Sequence, residues 1–399
     1  METRAGHPGA FARFDLRRVD SPAFVVDAAK LRDNCRVLAD IAERSGAKVL
    51  AALKAFSMWS TAPIIGEYLD GVCTSGLWEA RLASEFYDGE IATYCAAYKP
   101  EDLAEVLRLS DHVIFNSPAQ IERFMPLIEA ARASGQHFDI GLRLNPMHAE
   151  GEVPRYDPCA PHSRLGFPID QLTAEHVALI DGVHMHTLCE QDFAPLARTW
   201  EKAFDYLEPF FDDLTWINLG GGHHITRADY QRDELVQFLI DMAEDTGCQI
   251  YLEPGEAVAL DAGILVGTVL DVQWNGMPVA ITDISATCHM PDVIEAPYRP
   301  AMLGERAAEG EIVDEGQDDA VRLGGPSCLA GDVIGDYRLP EPPAPGLRFA
   351  FLDQAHYSMV KTTTFNGVPL PSIWLWDSES DSLEQIRQFG WDEFRNRLS

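Results

Sequence analysis

Short apolar runs alternate with segments of helical periodicity between about residue 28 and residue 253. The apolar runs are partly β-branched and have the length of buried strands. They lie at residues 48–53, 71–75, 91–96, 112–116, 138–145, 180–186, 215–219 and 249–253. The intervening segments place apolar residues at helical spacing beside charged faces, at residues 28–45, 60–69, 77–87, 101–109, 117–134, 169–178, 193–211 and 226–245. The pattern therefore predicts eight strands that alternate with helices.

This alternation predicts a parallel sheet, because each crossover between parallel strands needs a connection as long as a helix. Eight such units over roughly 220 residues match a closed (β/α)8 TIM barrel. An open, doubly wound sheet is the alternative fold. Cap residues at Asn116 and Thr226 predict helix starts, and Gly247 predicts the end of the last helix.

The pattern changes after about residue 262, where short strands separated by Gly, Pro and acidic turns take over. Strands are predicted at 264–270, 279–283 and 347–352, and a helical segment only at 381–397. We interpret this region as a sandwich-like or barrel-like β domain. The predicted boundaries are 28–262 for the barrel, with 1–27 and 263–399 for the β domain. The acidic segment 304–320 is predicted to be an exposed, mobile loop without chemistry of its own.

Composition and charge limit the kinds of molecule that the protein is expected to bind. The chain has 399 residues, of which 31 are basic and 63 acidic, giving a net charge of −32. Such a charge argues against nucleic acid or an anionic membrane and is compatible with a small cationic substrate, although it can also serve solubility alone. The eight cysteines form no CxxC pair and are interpreted as mostly reduced thiols. Because the sequence shows no signal peptide and no apolar run of about 18 residues, we expect a cytoplasmic protein.

Four chemically unusual features fall at the carboxyl ends of the predicted barrel strands, where such barrels carry their active sites. They are Lys54, His186, the run Gly220–Gly222, and Glu253. A lysine that closes an apolar strand is a candidate amine nucleophile, because burial of an unpaired ammonium is costly. It can equally be a strand-end lysine whose amine reaches water.

Each of the other features has two interpretations. The three glycines can form a tight turn, or they can present consecutive backbone N–H groups to a phosphate. Glu253 can mark a strand exit, or it can hold a proton on the ring nitrogen of a cofactor. Only one of His184 and His186 is expected to face inward, and no metal site is predicted. Together an amine, a phosphate cradle, an imidazole and a carboxylate are the parts needed to bind pyridoxal 5′-phosphate as a lysine Schiff base.

Six longer stretches point to one family. They are Leu53-Lys-Ala-Phe-Ser-Met-Trp-Ser60, Tyr156-Asp-Pro-Cys-Ala-Pro161, His186-Thr-Leu-Cys-Glu-Gln191, Asn218-Leu-Gly-Gly-Gly-His-His-Ile-Thr226, Gly324-Gly-Pro-Ser-Cys-Leu-Ala-Gly-Asp332 and Ala355-His-Tyr-Ser-Met-Val-Lys-Thr362. The sequence resembles the fold-type III pyridoxal-phosphate decarboxylases, an alanine-racemase-like group that includes ornithine and diaminopimelate decarboxylases. Within this group it looks most like the carboxynorspermidine decarboxylases. The resemblance extends from Ser21 to about Ile373.

The resemblance implies a function for several residues. Lys54 would carry the cofactor, His186 would stack on its ring, and Glu253 would pair with the pyridine nitrogen. Cys328 would act across the interface of a homodimer as the acid that reprotonates Cα. The remaining implied cofactor contacts are Gly220, Gly221, Gly222 and Gly255 at the phosphate, Tyr357 reaching the phosphate from the β domain, and Arg143 as a supporting residue.

One departure from the family pattern bears on the substrate. Diaminopimelate decarboxylases carry Cys-Glu-Ser-Gly-Asp, whose glutamate helps to hold the far amino-acid head of the substrate, whereas this chain has Leu329 at that position. We therefore expect a polyamine arm, as in carboxynorspermidine or carboxyspermidine, which differ by one methylene. Arg299 is a candidate for binding the carboxylate, and Asp292 and Asp332 are candidates for the polyamine nitrogens. Each of the three can instead be an ordinary salt-bridge or turn residue.

Other activities remain compatible with the sequence. Another fold-type III decarboxylase, of the diaminopimelate or ornithine type, would share the cofactor site. An amino-acid racemase would share Lys54 but needs a second base where Cys328 is placed. A pyridoxal-phosphate carrier on a bare barrel would need neither Cys328 nor Tyr357.

Overall fold

The computed structural model describes residues 6–151, 153–306 and 319–399, so most of the predicted acidic loop at 304–320 lies outside the described residues. The strands in these ranges are Ala23–Asp27 (β1), Lys48–Ala52 (β2), Gly71–Thr74 (β3), Glu90–Tyr94 (β4), His112–Phe115 (β5), Asp139–Asn145 (β6), Phe167–Pro168 (β7), Gly182–His184 (β8), Trp216–Asn218 (β9), Gln249–Leu252 (β10), Gly263–Trp274 (β11), Pro278–Thr282 (β12), Val321–Gly324 (β13), Val333–Tyr337 (β14), Arg348–Leu352 (β15), Ser372–Asp377 (β16) and Ser382–Arg387 (β17).

The α-helices of the same ranges are Ala28–Ser45 (α1), Ala62–Tyr68 (α2), Leu77–Phe86 (α3), Pro100–Leu109 (α4), Pro118–Ala133 (α5), Ala174–Val177 (α6), Phe193–Leu207 (α7), Arg232–Thr246 (α8), Glu256–Ala259 (α9), Ala286–His289 (α10), Asp292–Glu295 (α11) and Trp391–Leu398 (α12). Short 3-10 helices lie at Gly9–Arg13, Leu16–Arg18, Trp59–Thr61, Ile169–Gln171, Glu208–Asp213 and Phe365–Gly367. Within the described ranges, no helix combines the length and the apolar character needed to cross a bilayer.

The chain forms two compact units. The barrel unit comprises Arg32–Val258, and the sheet unit comprises Met1–Leu31 together with Ala259–Ser399. In the barrel unit, eight parallel strands pair in the closed order β2-β3-β4-β5-β6-β8-β9-β10, and β10 pairs with β2 again. The predicted (β/α)8 barrel is therefore confirmed, with each of its eight strands near the predicted place.

Apolar side chains fill the barrel because alternate residues of each strand point inward. One interior cluster contains Leu50, Ala92, Ile114, Trp216 and Tyr251, all at most 4 % exposed. The Trp216 indole also passes over β8, where a side chain on Gly182 would place its Cβ 2.1 Å from the ring. Glycine in β8 thus makes room for the largest side chain of the neighbouring strand.

A polar network lies at the starts of the barrel strands, at the end opposite to their carboxyl termini. Glu90, the first residue of β4, pairs with Lys48, the first residue of β2. Its second carboxylate oxygen accepts from Tyr251 Oη at 2.9 Å and lies 3.2 Å from His112 Nε2. Burial alone would raise the pKa of Glu90, but hydrogen bonds with His112, Lys48 and Tyr251 outweigh it and lower the pKa from 4.5 to about 2.

Glu90→Gln is expected to lower the free energy of unfolding by about 1 to 2 kcal/mol at pH 7. Because the folded-state pKa lies below the ordinary value, the network stabilises the fold above about pH 4.5 and loses this contribution as the pH falls toward 2. The difference in melting temperature between wild type and variant should thus shrink between pH 7 and pH 3. Glu85→Gln, on an exposed face of α3, serves as the control and should show no such pH dependence.

Several predicted helices differ from the structure at their ends. Helix α8 begins at Arg232 rather than at Thr226, because Thr226 Oγ1 donates to Ala257 O at 2.6 Å instead of capping the helix. Its predicted end at Gly247 is confirmed, with φ at +69°. The helix predicted over 381–397 is wrong in its first half. Residues Ser382–Arg387 form β17, which pairs with β16, and only Trp391–Leu398 is helical.

The sheet unit contains one eight-stranded sheet. Its order is β14-β13-β12-β11-β1-β16-β17, and β15 pairs with β11 beside this path. The amino-terminal strand β1 lies inside it, antiparallel to β11 and parallel to β16. A core cluster on this sheet consists of Phe11, Phe14, Val19, Ala23, Val25, Ile264, Val266, Ala350, Leu352 and Trp376. The predicted separate β domain is therefore present, and residues before the barrel supply a strand to it.

Candidate active site

Lys54 and His186 lie together just beyond the carboxyl ends of two barrel strands. Lys54 is two residues beyond β2, and its Nζ is 3.3 Å from His186 Nε2. The backbone N–H of Gly221 donates to His186 Nδ1 at 3.0 Å. Because Nδ1 accepts, the neutral imidazole carries its proton on Nε2, which faces Lys54. The Nε2–H group of His186 then donates a hydrogen bond to the Lys54 amine. The amine can accept it only through a free lone pair on its nitrogen, as an uncharged amine has.

The electrostatics agree with a neutral pair. Burial lowers the pKa of Lys54 and outweighs the opposing effect of Cys73, and Arg143 lowers the pKa further against an opposing effect of Glu253. Burial is also the largest cause that lowers the pKa of His186 well below its ordinary value, and the basic side chains of Lys54 and Arg143 act in the same direction. Lys54 is exposed at the mouth of the site, and desolvation by the surrounding protein atoms is the largest cause of its lowered pKa. The site therefore favours an uncharged lysine, which is the nucleophilic form.

Glu253 follows β10 and has both carboxylate oxygens bound. Asn218 Nδ2 donates to Oε1 at 2.8 Å, and His184 Nε2 lies 3.0 Å from Oε2. The side chains of His184 and Glu253 are 2 % and 9 % exposed. Burial alone would raise the pKa of Glu253, but His184, Asn218 and Lys54 together hold it below its ordinary value. Glu253 is thus an ionised carboxylate inside the barrel.

The predicted orientation of the two histidines on β8 is wrong. The prediction placed 184 and 186 on opposite faces of one strand, but side chains alternate with a period of two, so residues two apart point to the same face. Both imidazoles therefore contact site residues, His184 through Glu253 and His186 through Lys54. His223, by contrast, hydrogen-bonds Tyr230 through Nδ1 at 2.5 Å and is buried, as is His224.

The glycine run differs in detail from the predicted row of three free N–H groups. Gly220 N–H donates to Asn218 Oδ1 at 2.8 Å, and Gly221 N–H is used by His186. Of the three, only the N–H of Gly222 has no hydrogen-bond partner among the described residues, and the same is true of Gly255. A Cβ on Gly221 would lie 2.1 Å from Glu253 O, so the run must be glycine for the chain to pass this closely.

Arg143 of β6 joins these residues from the neighbouring strand. It is 5 % exposed, and its Nη2 donates to His186 O at 3.0 Å. Its guanidinium also lies 4.6 Å from the centre of the Tyr94 ring, at the end of β4. Tyr94 in turn donates to Asn116 Oδ1 at 2.6 Å. Arg143 thus fixes the backbone that carries His186 and adds positive charge to the site.

The sheet unit contains the other predicted site residues. Cys328 is exposed, and its backbone N–H donates to Asn366 Oδ1 at 2.8 Å. Tyr357 has a left-handed backbone, with φ at +45°, and its ring packs edge-on against His356 at 6.0 Å.

The three candidate substrate residues already have partners within the sheet unit. Asp292 forms a salt bridge with Lys361. Arg299 pairs with Glu305 and lies over the Tyr337 ring at 3.9 Å. Asp332 is 4 % exposed, and its carboxylate accepts from the Ser285 hydroxyl and from the backbone N–H groups of Thr287 and Ser327. These contacts give each of the three a structural role within the sheet unit, and their binding of substrate stays a prediction.

Three residues of the barrel site were not predicted from sequence. Asn218 binds both Gly220 and Glu253, His184 binds Glu253, and Tyr94 packs under Arg143. All three end barrel strands, β9, β8 and β4. The rule that sites form at strand ends could therefore have found them, had it been applied to every polar or aromatic strand end.

The chain belongs to the pyridoxal-dependent decarboxylases. The family model described as pyridoxal-dependent decarboxylase, C-terminal sheet domain, matches residues 23–355, which confirms the family expected from the sequence motifs.

The chain is 38 % identical to a carboxynorspermidine/carboxyspermidine decarboxylase from Campylobacter jejuni, over 95 % of this chain and 99 % of that protein. It is 36 % identical to a carboxyaminopropylagmatine decarboxylase from Synechocystis, over 96 % of each. A crystal structure of Campylobacter jejuni carboxynorspermidine decarboxylase complexed with norspermidine superimposes with a TM-score of 0.85, at 38 % identity, covering 95 % of this chain and 100 % of that one.

Proposed function

We propose that this protein is a pyridoxal 5′-phosphate-dependent carboxy-lyase that converts carboxynorspermidine, carboxyspermidine or both into norspermidine or spermidine. The observation that carries the proposal is the pairing of Lys54 with His186 beside a buried, ionised Glu253 at the carboxyl ends of the barrel strands. Relatives that act on carboxy-polyamines cover nearly the whole chain, which supports the substrate class.

The residues present fit the cofactor. Lys54 offers an uncharged amine for covalent attachment, and Gly222 and Gly255 offer unpartnered N–H groups of the kind that bind phosphate oxygens. His186 would lie against the cofactor ring, and Glu253 would hold a proton at the ring nitrogen. When bound, pyridoxal phosphate supplies an electron sink for the pair that remains at Cα after CO₂ leaves.

The chain's own residues then perform three tasks. Glu253, kept ionised by His184 and Asn218, stabilises positive charge at the ring nitrogen and so favours acceptance of electrons. Arg143 and Gly221 hold His186 in place through its carbonyl oxygen and its Nδ1. Cys328 donates a proton to Cα, which yields the primary amine product.

We also propose that the active protein is a homodimer in which the β domain, residues 1–27 and 263–399, completes the site formed by the barrel domain, residues 28–262. Three features of the sheet unit support this. Cys328 is exposed. Leu329, next to it in the sequence, is 44 % exposed, and Phe365, next to its hydrogen-bond partner Asn366, is 45 % exposed. An exposed thiol between exposed apolar side chains is typical of a surface that another chain covers. Tyr357 would reach the cofactor phosphate from this domain.

The candidate substrates differ in the tail beyond the reacting carbon. Leu329, where diaminopimelate decarboxylases carry glutamate, argues against a distal amino-acid head. The similarity to a carboxyaminopropylagmatine decarboxylase adds a second candidate, whose tail ends in a guanidinium group. All of these substrates carry the same carboxylate and α-amine at the reacting carbon, so the tail alone distinguishes them.

The test is CO₂ release by cofactor-loaded protein with each of five substrates: carboxynorspermidine, carboxyspermidine, carboxyaminopropylagmatine, diaminopimelate and ornithine. Turnover limited to the first two supports the proposal and ranks them by kcat/KM. A clear preference for carboxyaminopropylagmatine, or turnover only with diaminopimelate or ornithine, would retain the chemistry and reject the substrate. No turnover with any of the five would favour a racemase or a cofactor carrier.

Cys328→Ala is expected to bind the cofactor normally and to lose about 100-fold or more in kcat, the usual cost of removing a general acid. Cys248→Ala is the matched control, because Cys248 is buried just before β10, at the opposite end of that strand from Glu253. Cofactor absorbance and CO₂ release measure the two effects separately. A Cys328→Ala protein with the wild-type rate would remove Cys328 from the mechanism.

A further inference from the structure

The loop that carries Cys328 is folded around a buried carboxylate. Asp332 closes the loop of residues 325–332, and Ser327 N–H in the loop donates back to its Oδ2 at 3.3 Å. The same carboxylate accepts from Ser285 Oγ at 2.9 and 3.0 Å and from Thr287 N–H at 3.2 Å, at the start of helix α10. The base of the loop is thus fixed to α10, while residues 328–331 at its tip are exposed.

A second segment, residues 363–369, is attached to the same helix. Thr363 N–H donates to Cys288 O at 2.8 Å, and the Cys288 thiol lies 3.5 Å from Phe365 O. His289 is fully buried and bonds Pro369 O through Nε2 at 3.0 Å, because its Nδ1 accepts from Ser285 N–H. Helix α10 therefore holds the bases of both segments.

The tips of the two segments meet at one hydrogen bond. Asn366 Oδ1 accepts from the backbone N–H of Cys328 at 2.8 Å. Asn366 has a left-handed backbone, with φ at +60° and ψ at +12°, which turns its side chain out of the 3-10 helix at Phe365–Gly367. Asparagine is among the few residues that adopt this conformation readily. The hydrogen bond from Asn366 therefore restrains the backbone of Cys328, whose thiol is the proposed acid.

We propose that Asn366 is a positioning residue that fixes the Cys328 thiol for proton delivery to Cα and so controls the outcome of the reaction. The inference rests on the proposed function, in which Cys328 is the proton donor. Since both residues are exposed and the base of the loop is held separately by Asp332, loss of the Asn366 bond should free the thiol without unfolding the domain.

Two outcomes follow decarboxylation, and the position of the proton decides between them. A proton at Cα gives the primary amine and CO₂, and the cofactor is released unchanged. A proton at the cofactor's aldehyde-derived carbon leads to hydrolysis in which the substrate nitrogen stays with the cofactor. The balance is then amino acid plus pyridoxal phosphate to CO₂, an aldehyde and pyridoxamine phosphate, with no external oxidant. A misplaced thiol should raise the share of the second outcome.

The matched pair of variants is Asn366→Gly and Asn366→Asp. Glycine adopts φ near +60° at no steric cost but has no acceptor, whereas aspartate retains an oxygen that can accept from Cys328 N–H. Asp381→Gly is the control, because it also replaces an exposed residue with positive φ in the sheet unit, in the turn before β17.

We expect Asn366→Gly to raise the number of pyridoxamine phosphate molecules formed per turnover about fivefold, equivalent to about 1 kcal/mol. Asn366→Asp and Asp381→Gly should stay within about twofold of wild type. The absorbance of the cofactor reports this partition. In cofactor-free protein, hydrogen exchange of the peptide that contains Cys328 should become about fivefold faster in Asn366→Gly only.

Three results would overturn the inference. Exchange at Cys328 that does not change in Asn366→Gly would mean that the hydrogen bond does not restrain the loop. Faster exchange with unchanged formation of pyridoxamine phosphate would leave Asn366 with a structural role only. The same conclusion would follow if pyridoxamine phosphate formation rose equally in the Asn366→Gly and Asn366→Asp variants. The role of Cys328 fails separately, through a Cys328→Ala protein that retains the wild-type rate, and the proposed function fails through wild-type protein that releases CO₂ from none of the five substrates.

Discussion

Lys54→Ala is expected to lower the rate of CO₂ release by more than about 1000-fold, or about 4 kcal/mol in the barrier. The Nζ of Lys54 lies 3.3 Å from Nε2 of His186, and burial together with Arg143 lowers the pKa of Lys54. The barrel thus maintains a nucleophilic nitrogen at the place where the cofactor aldehyde would bind. Alanine removes that nitrogen, and we expect no other group of the site to replace it.

Lys54→Arg tests whether Lys54 acts as a nucleophile or only through a positive charge. Arginine keeps a cation at this position but is never deprotonated, so a nucleophilic role predicts a loss as large as that of alanine. Lys202→Ala, on an exposed face of helix α7, should leave the rate unchanged. The rate of CO₂ release and the absorbance of the bound cofactor are the measurements. An arginine variant that retains more than a tenth of the activity would show that Lys54 acts through its charge alone.

The barrel and its strand-end residues could be predicted because both depend on local pattern. Eight apolar runs fix the strands, and the barrel topology then brings Lys54, His186 and Glu253 to one end. The error about His184 lies in the strand period. Side chains alternate between faces from one residue to the next, so His184 and His186, two residues apart, belong to one face and both contact the site.

The partners of the substrate candidates could not be predicted, because charge alone does not reveal a partner distant in sequence. The partner of Asp292 is Lys361, 69 residues further along the chain. Asp332 lies in the same loop as Cys328, and helix α10 and the loop itself bind its carboxylate. Such pairings are set by the tertiary structure, so only the structure separates an ion pair within a domain from a group free to bind substrate.

Glu253→Gln is expected to reduce kcat by about 100- to 1000-fold, the range observed when one preorganised electrostatic contact is removed from an active site. Glutamine has the shape of glutamate but no charge, so it cannot hold a proton on the ring nitrogen of the cofactor. The surrounding hydrogen bonds should survive. His184 can change tautomer to accept from the new amide, because its Nδ1 has no partner among the described residues.

The melting temperature of Glu253→Gln should therefore remain close to that of wild type, which separates lost chemistry from lost structure. Glu105→Gln, which removes a carboxylate from the exposed pair with Arg81, is the control and should retain full activity. The measurements are kcat for CO₂ release and thermal unfolding of the same preparations. A Glu253→Gln enzyme with near wild-type kcat would mean that the ring nitrogen needs no proton, and that Glu253 serves only to hold His184 and Asn218 inside the barrel.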